Sequence, residues 1–151
     1  MKPDVKKITH AAIYVRDVDK SARWYEKIMG LNLHVRNDYG AFMSFGKKHH
    51  DIVLMPADGT QPRGAPGLHH LSFEIGGGVE ALRRLYAMLL DNDVEIVKIS
   101  DHKVGWGIYF NDPDGNTLEF FCELVTDDDE GRRVFHEAGA PSEPMTLEPL
   151  R

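Results

Sequence analysis

The feature that most constrains this chain is an internal repeat. The segment ITHAAIYVRDVDKSARWYEKIMGLNLHV aligns with LHHLSFEIGGGVEALRRLYAMLLDNDVEIV. His10 falls on His70, Ala12 on Ser72 and Val15 on Ile75. After one extra residue in the second copy, Val18 falls on Val79 and Tyr25 on Tyr86. A repeated stretch is one supersecondary unit used twice, so the two copies must share a fold. Each copy reads as a short strand opened by a histidine, a turn, an amphipathic helix and three further strands.

The first helix is expected over residues 18–29, capped by Asp17 or Asp19 and stopped at Gly30. Ala22, Tyr25, Ile28 and Met29 recur there at helical spacing. The second is expected over 79–90, with Leu82, Leu85, Tyr86 and Leu89 as its buried stripe. Strand candidates follow at 31–36, 41–45 and 51–55 in the first copy, and at 94–99, 106–110 and 117–124 in the second. The pattern is βαβββ twice, which predicts an α+β fold: a curved mixed sheet with helices outside and a site on its concave face. One domain is expected over 1–126, with modules 8–56 and 67–124 joined by the Pro- and Gly-rich stretch 56–67. Residues 127–151 lie outside the repeat. DDDEGRRVFHEAG reads as a short helix with acids first and arginines later, which suits the helix dipole. Residues 141–151 read as a flexible or docked terminus, with a lid or an arm on a partner subunit as the sharper alternatives.

Hydrophobic residues make up 42% of the chain, enough for a packed core. A net charge of −6 argues against nucleic acid as a partner, since that footprint is basic and clustered. No run is long enough to span a bilayer and the start carries no apolar signal region, so a soluble, cytoplasmic protein is expected, with no membrane partner. The single cysteine, Cys122, cannot form an internal disulfide.

Chemistry is suggested by three positions. In GLHHLSFEI, neighbouring strand residues point to opposite faces, so His69 and His70 are expected on different sides. The repeat selects His70, which matches His10, whereas His69 has no counterpart. Taken alone, His10 reads better as an ordinary partly buried histidine; its recurrence at the same place in both copies favours a site. Farther on, NDPDGN composes a tight turn, and TLEFFCEL a strand with Glu119 among large apolar residues. A carboxylate in that setting is exposed at an edge, paired, or bound to a cation. His10, His70 and Glu119 together form a 2-His-1-carboxylate set, which holds one face of an octahedral metal and leaves the other positions open. A substrate with O2, or a water, can then bind the metal directly.

These motifs (ITHAAIYVRD, GLHHLSFEI and DPDGNTLEFF) resemble those of the vicinal oxygen chelate superfamily and span most of residues 8 to 123. That superfamily includes glyoxalase I, methylmalonyl-CoA epimerase, fosfomycin resistance enzymes, bleomycin-binding proteins and type I extradiol dioxygenases. The resemblance implies His10, His70 and Glu119 as metal ligands. Each ligand histidine lies five residues before the last apolar residue of its strand, here Val15 and Ile75. Three further features look like the extradiol dioxygenases. HHDIVLM is similar to the segment that carries their acid/base histidine, which maps to His50. GIYFNDPDGNTLEFF is similar to the stretch whose tyrosine contacts a substrate hydroxyl, which maps to Tyr109. A histidine upstream of that tyrosine contacts substrate or the O2-derived group, and His102 takes that place.

The resemblance therefore implies an extradiol-type dioxygenase. It would use Fe(2+), with Mn(2+) or another divalent metal as the alternative, and O2 to open a catechol-type aromatic diol, as a homodimer or higher homo-oligomer. A glyoxalase- or epimerase-type lyase or isomerase is the alternative, and a non-catalytic binding protein of the resistance kind ranks third. The alternative needs a fourth ligand from the last strand of the first copy, DIVLMP. With His50 inward, alternation puts Ile52 and Leu54 on the same face, where neither can ligate.

Overall fold

The computed structural model describes residues 7–59 and 68–151, so most of the expected linker lies outside the described residues. The chain divides into two compact units, Met1–Ala65 and Pro66–Arg151.

The first unit contains β1 (Ala11–Val15), α1 (Val18–Met29), β2 (Asn32–Asn37), β3 (Gly40–Ser44) and β4 (Ile52–Pro56). Its sheet has the order β1-β4-β3-β2, with β1 parallel to β4 and the other pairs antiparallel. Asp17 caps α1 by accepting from the Lys20 amide at 2.9 Å, which satisfies one of the free N–H groups of the first turn. Gly30 ends the helix in the left-handed region at φ 67°. The expected stripe of Ala22, Tyr25, Ile28 and Met29 is buried. It packs on β3 and β4, whose Ala41, Met43, Ile52 and Leu54 form the core with Ile13 and Val15 of β1. Burying this apolar surface is what holds sheet and helix together, at roughly 25 cal/mol per Å² removed from water.

The second unit repeats the plan with β5 (Leu71–Glu74), α2 (Gly78–Asp91), β6 (Ile96–Asp101), β7 (Gly105–Asn111) and β8 (Thr117–Glu123). Its order, β5-β8-β7-β6, is the order of the first unit, and again only the first pair is parallel. Even the irregularity recurs: β2 slips register between Leu33 and Val35, and β6 between Ile96 and Lys98. The mixed α+β fold expected from the repeat is therefore present as two mixed sheets, of four and five strands.

Two expectations need correction, and one with two alternatives is decided. Leu85 and Tyr86 are only half-buried in α2, and Ala87 is buried along with Leu82 and Leu89. Both first strands begin one residue late, so His10 and His70 stand just ahead of β1 and β5. The C-terminal stretch is docked. After α3 (Asp128–Glu137), β9 (Glu143–Pro144) adds a fifth strand against Ser100 and Asp101 of β6. Beyond it, Leu150 donates to the Arg83 carbonyl at 3.1 Å and Arg151 pairs with Asp91 at 2.9 Å.

Candidate active site

Strand alternation in the second unit sorts chemistry from core. Leu118, Phe120 and Cys122 of β8, with Ile108 and Phe110 of β7, are buried on the α2 side. Positions 119, 121 and 123 point the other way, onto the open face. Register then decides the neighbours. Glu119 lies directly opposite Tyr109 on one side and Ser72 on the other. That register is set by the turn before β8. Asp112 accepts from the Asp114 and Asn116 amides at 2.9 and 2.8 Å, while Gly115 takes φ 85°.

Glu119 is 3% exposed, yet two imidazoles and a phenol lie close to its carboxylate. His70 Nε2 lies 3.3 Å from Oε2, and His102 Nε2 lies 3.7 Å from Oε1. Tyr109 places its hydroxyl 3.1 Å from the same His102 nitrogen. Burial, then the charge of Glu119, pushes the Tyr109 phenol well above its ordinary value, so it stays protonated near neutral pH. Space for the carboxylate comes from Gly107 of β7, where a Cβ would stand 2.0 Å from Glu119 Oε1. A cavity of about 360 Å³ opens beside Glu119, lined by Ser72, His102, Tyr109, Phe121 and, from α3, Phe135.

In the first unit His10 and His50 come together. Their ring centroids are 4.5 Å apart, and His50 meets the ring of Phe42 edge-on at 5.5 Å. Thr9 Oγ1 is 3.1 Å from His10 Nδ1, and Lys48 donates to the Thr9 carbonyl, which ties the loop before β4 to the start of β1. Burial, then the neighbouring His49 and His10, lowers the His50 pKa, which favours the neutral imidazole. Val35, Asn37, Phe42, His49 and His50 line a second cavity of about 380 Å³.

Alternation does not extend from β4 back to His50, contrary to expectation, because His50 lies in the preceding loop. Ile52 and Leu54 face the helix and are 2% and 0% exposed. The opposite-face positions of β4 are Val53, which pairs with Phe42, and Met55. Neither is the glutamate, glutamine or histidine that the alternative needs, so the apolar fourth position survives with different residues. The two doublets are also less divided than alternation implied: His69 Nδ1 lies 2.7 Å from His70 Nδ1, and His49 Nδ1 lies 2.7 Å from His50 Nδ1.

The expected ligands are thus divided, with His10 in the first unit and His70 and Glu119 in the second. Within neither unit do three His, Cys, Asp or Glu side chains form a ready-made metal cage among the described residues. The fit of a cation rests on Glu119. Its Oε1 is buried and has no hydrogen-bond partner among the described residues. An ionised carboxylate in that state is costly unless a cation or donor completes it, and imidazole with carboxylate suits a first-row divalent metal. Sequence reasoning did not single out Gly107, Phe121, Phe135 or Pro141. The alternating glycines of GWGIY were the one available signal, since side-chain-free positions in a strand mark a close approach.

Residues 7–120 match the model of the glyoxalase/bleomycin resistance protein/dioxygenase superfamily. The chain belongs to this superfamily. Among its relatives, biphenyl-2,3-diol 1,2-dioxygenase 3 of Rhodococcus globerulus is 24% identical, over 86% of this chain and 70% of that protein. The glutathione transferase FosA of Serratia marcescens is 28% identical, over 76% of this chain and 79% of that protein. Among solved structures, a glyoxylase/bleomycin resistance protein/dioxygenase domain from Frankia sp. EAN1pec is 28% identical. It aligns with a TM-score of 0.65 over 80% of this chain and 99% of that one. Members of the superfamily thus include both dioxygenases and transferases, and one fold hosts several chemistries.

Proposed function

We propose that this protein is an extradiol-type ring-cleavage dioxygenase acting on a catechol-type aromatic diol. His10, His70 and Glu119 would hold the divalent metal, Fe(2+) in the first instance. The observation that carries this reading is the pairing of Tyr109 with His102 beside the buried Glu119, in a cavity walled by Phe121 and Phe135. A diol needs hydrogen-bonding partners for its hydroxyls and aromatic surface for its ring, and this arrangement supplies both. A divalent metal held by these residues would supply a Lewis-acidic centre with open positions for diol and O2. Tyr109, kept protonated, donates its hydrogen to His102 Nε2 and offers its oxygen as the acceptor for a substrate hydroxyl. His50, neutral through burial, accepts a proton from the diol and returns it later.

The thiol-transferase or glyoxalase-type reading has support in the FosA similarity. The apolar Val53 and Met55 weigh against it, since they supply no fourth ligand.

The test is anaerobic reconstitution with Fe(2+), followed by catechols and O2. A yellow ring-opened product with O2 uptake is expected. No colour and no O2 uptake across monocyclic and bicyclic catechols refutes the proposal, and turnover of hemithioacetals or thiol transfer installs the alternative. His50→Ala should keep the metal and lose turnover.

A further inference from the structure

The C-terminal extension lies outside the repeat, and the proposed function uses only Phe135 of it. Beyond α3, it meets the candidate site again through one backbone atom. The Pro141 carbonyl oxygen lies 2.9 Å from His102 Nδ1. A carbonyl can only accept, so Nδ1 must carry the hydrogen. In a neutral imidazole the other nitrogen is then an acceptor. That nitrogen, Nε2, faces the Tyr109 hydroxyl at 3.1 Å, which can donate to it.

The carbonyl is held in place by a series of contacts. Gly139 and Ala140 take left-handed φ values of 71° and 53° and turn the chain out of α3. β9 then pairs with β6 at Ser100 and Asp101, directly before His102, and the Met145 amide donates to the Ile99 carbonyl at 3.1 Å. Lys103, directly after His102, pairs with Glu143 at 3.0 Å. β9 therefore holds the backbone just before His102 by strand pairing and reaches the residue after it through a side-chain ion pair. Among the described residues, β2, the counterpart of β6 in the first unit, carries no such added strand.

We propose that residues 141–145 are a positioning strap, which fixes His102 in its Nδ1–H tautomer and so presents Nε2 as an acceptor to Tyr109. The strap is a positioning element and touches no reacting atom itself. Its importance for turnover rests on the proposed roles of His102 and Tyr109, but its effect on the tautomer does not. A second-sphere partner that selects a histidine tautomer also decides which nitrogen can serve chemistry.

The experiment reads the tautomer directly. Long-range 1H–15N correlation spectra of the full-length, 15N-labelled protein without metal report which ring nitrogen of His102 carries a proton. The expected pattern is a protonated Nδ1 and an unprotonated Nε2. Met145→Pro removes the amide that bonds Ile99 and should shift His102 toward a mixture of tautomers, whereas Met145→Ala keeps the amide and should leave the pattern unchanged. An Nε2–H or doubly protonated His102 in the unsubstituted protein overturns the proposal, whether or not the proline variant folds. So does a folded Met145→Pro protein with an unchanged pattern. If no catechol is opened but His102 shows the Nδ1–H form, the strap stands and the functional reading falls.

Discussion

Gly107 offers a direct test of how the second unit makes room for its buried carboxylate. In Gly107→Ala the new Cβ would stand 2.0 Å from Glu119 Oε1, 3.0 Å from its Cδ and 3.2 Å from Tyr109 Cε2. Reaching the ~3.5 Å of a good contact requires Oε1 to move by about 1.5 Å. That movement is opposed by His70 on one side and by Tyr109 and His102 on the other. Overpacking costs about 1–3 kcal/mol, and the end of a flexible side chain places this case near ~1 kcal/mol. In a chain of this size that is a fall of about 2–4 °C in Tm. The larger effect should be on metal affinity, a loss of roughly 10–100-fold, since the displaced group is a proposed ligand. The decisive comparison is a double-mutant cycle with Glu119→Ala. The unfolded-state gain of replacing glycine by alanine, about 0.4–1 kcal/mol, appears in both backgrounds and cancels. Thermal and urea unfolding should show the alanine to be costly with Glu119 and harmless without it. Equal cost in both backgrounds refutes the reasoning, as does Mn(2+) binding to Gly107→Ala that is as tight as to the unsubstituted protein.

Three further outcomes follow from the same geometry. Gly40→Ala should be worse than Gly107→Ala, by roughly 3 kcal/mol or more, because its Cβ would stand 2.2 Å from the Leu54 carbonyl oxygen, at φ 149°. A near-normal urea midpoint would count against that close approach. Asp112→Ala removes an acceptor of two backbone amides in the turn before β8 and should cost about 1–3 kcal/mol in urea unfolding. An unchanged midpoint would show that the turn sets itself. Burial, then Glu74 and Asp128, raises the Glu123 pKa above its ordinary 4.5. The folded state therefore disfavours the ionised form, and stability is lost as pH rises through the folded value. Glu123→Gln should be more stable than the unsubstituted protein at pH ~7 and equal to it at pH ~4. An advantage at both pH values, or at neither, contradicts this.

Much of this molecule was legible before any coordinates. The repeat predicted two βαβββ units, and periodicity with its caps placed α1 correctly, because an amphipathic stripe, Asp17 and Gly30 are local signals. Glu119 was conspicuous because a carboxylate among large apolar residues requires an explanation in any strand. The same one-dimensional signals misplaced His50, whose loop breaks the alternation of β4, and His69, whose ring meets His70 instead of turning away.

What the sequence determined by itself is the repeated plan and the residue types available for chemistry, since both follow from pattern and composition along the chain. Only the tertiary structure decided which of those groups meet. Strand register sets Glu119 opposite Tyr109, Gly107 leaves space for the carboxylate, and β9 brings the Pro141 carbonyl to His102, 39 residues back along the chain. The β7–β8 register follows from a local turn, but β5 with β8 and β6 with β9 join segments distant in sequence, where no turn fixes the pairing.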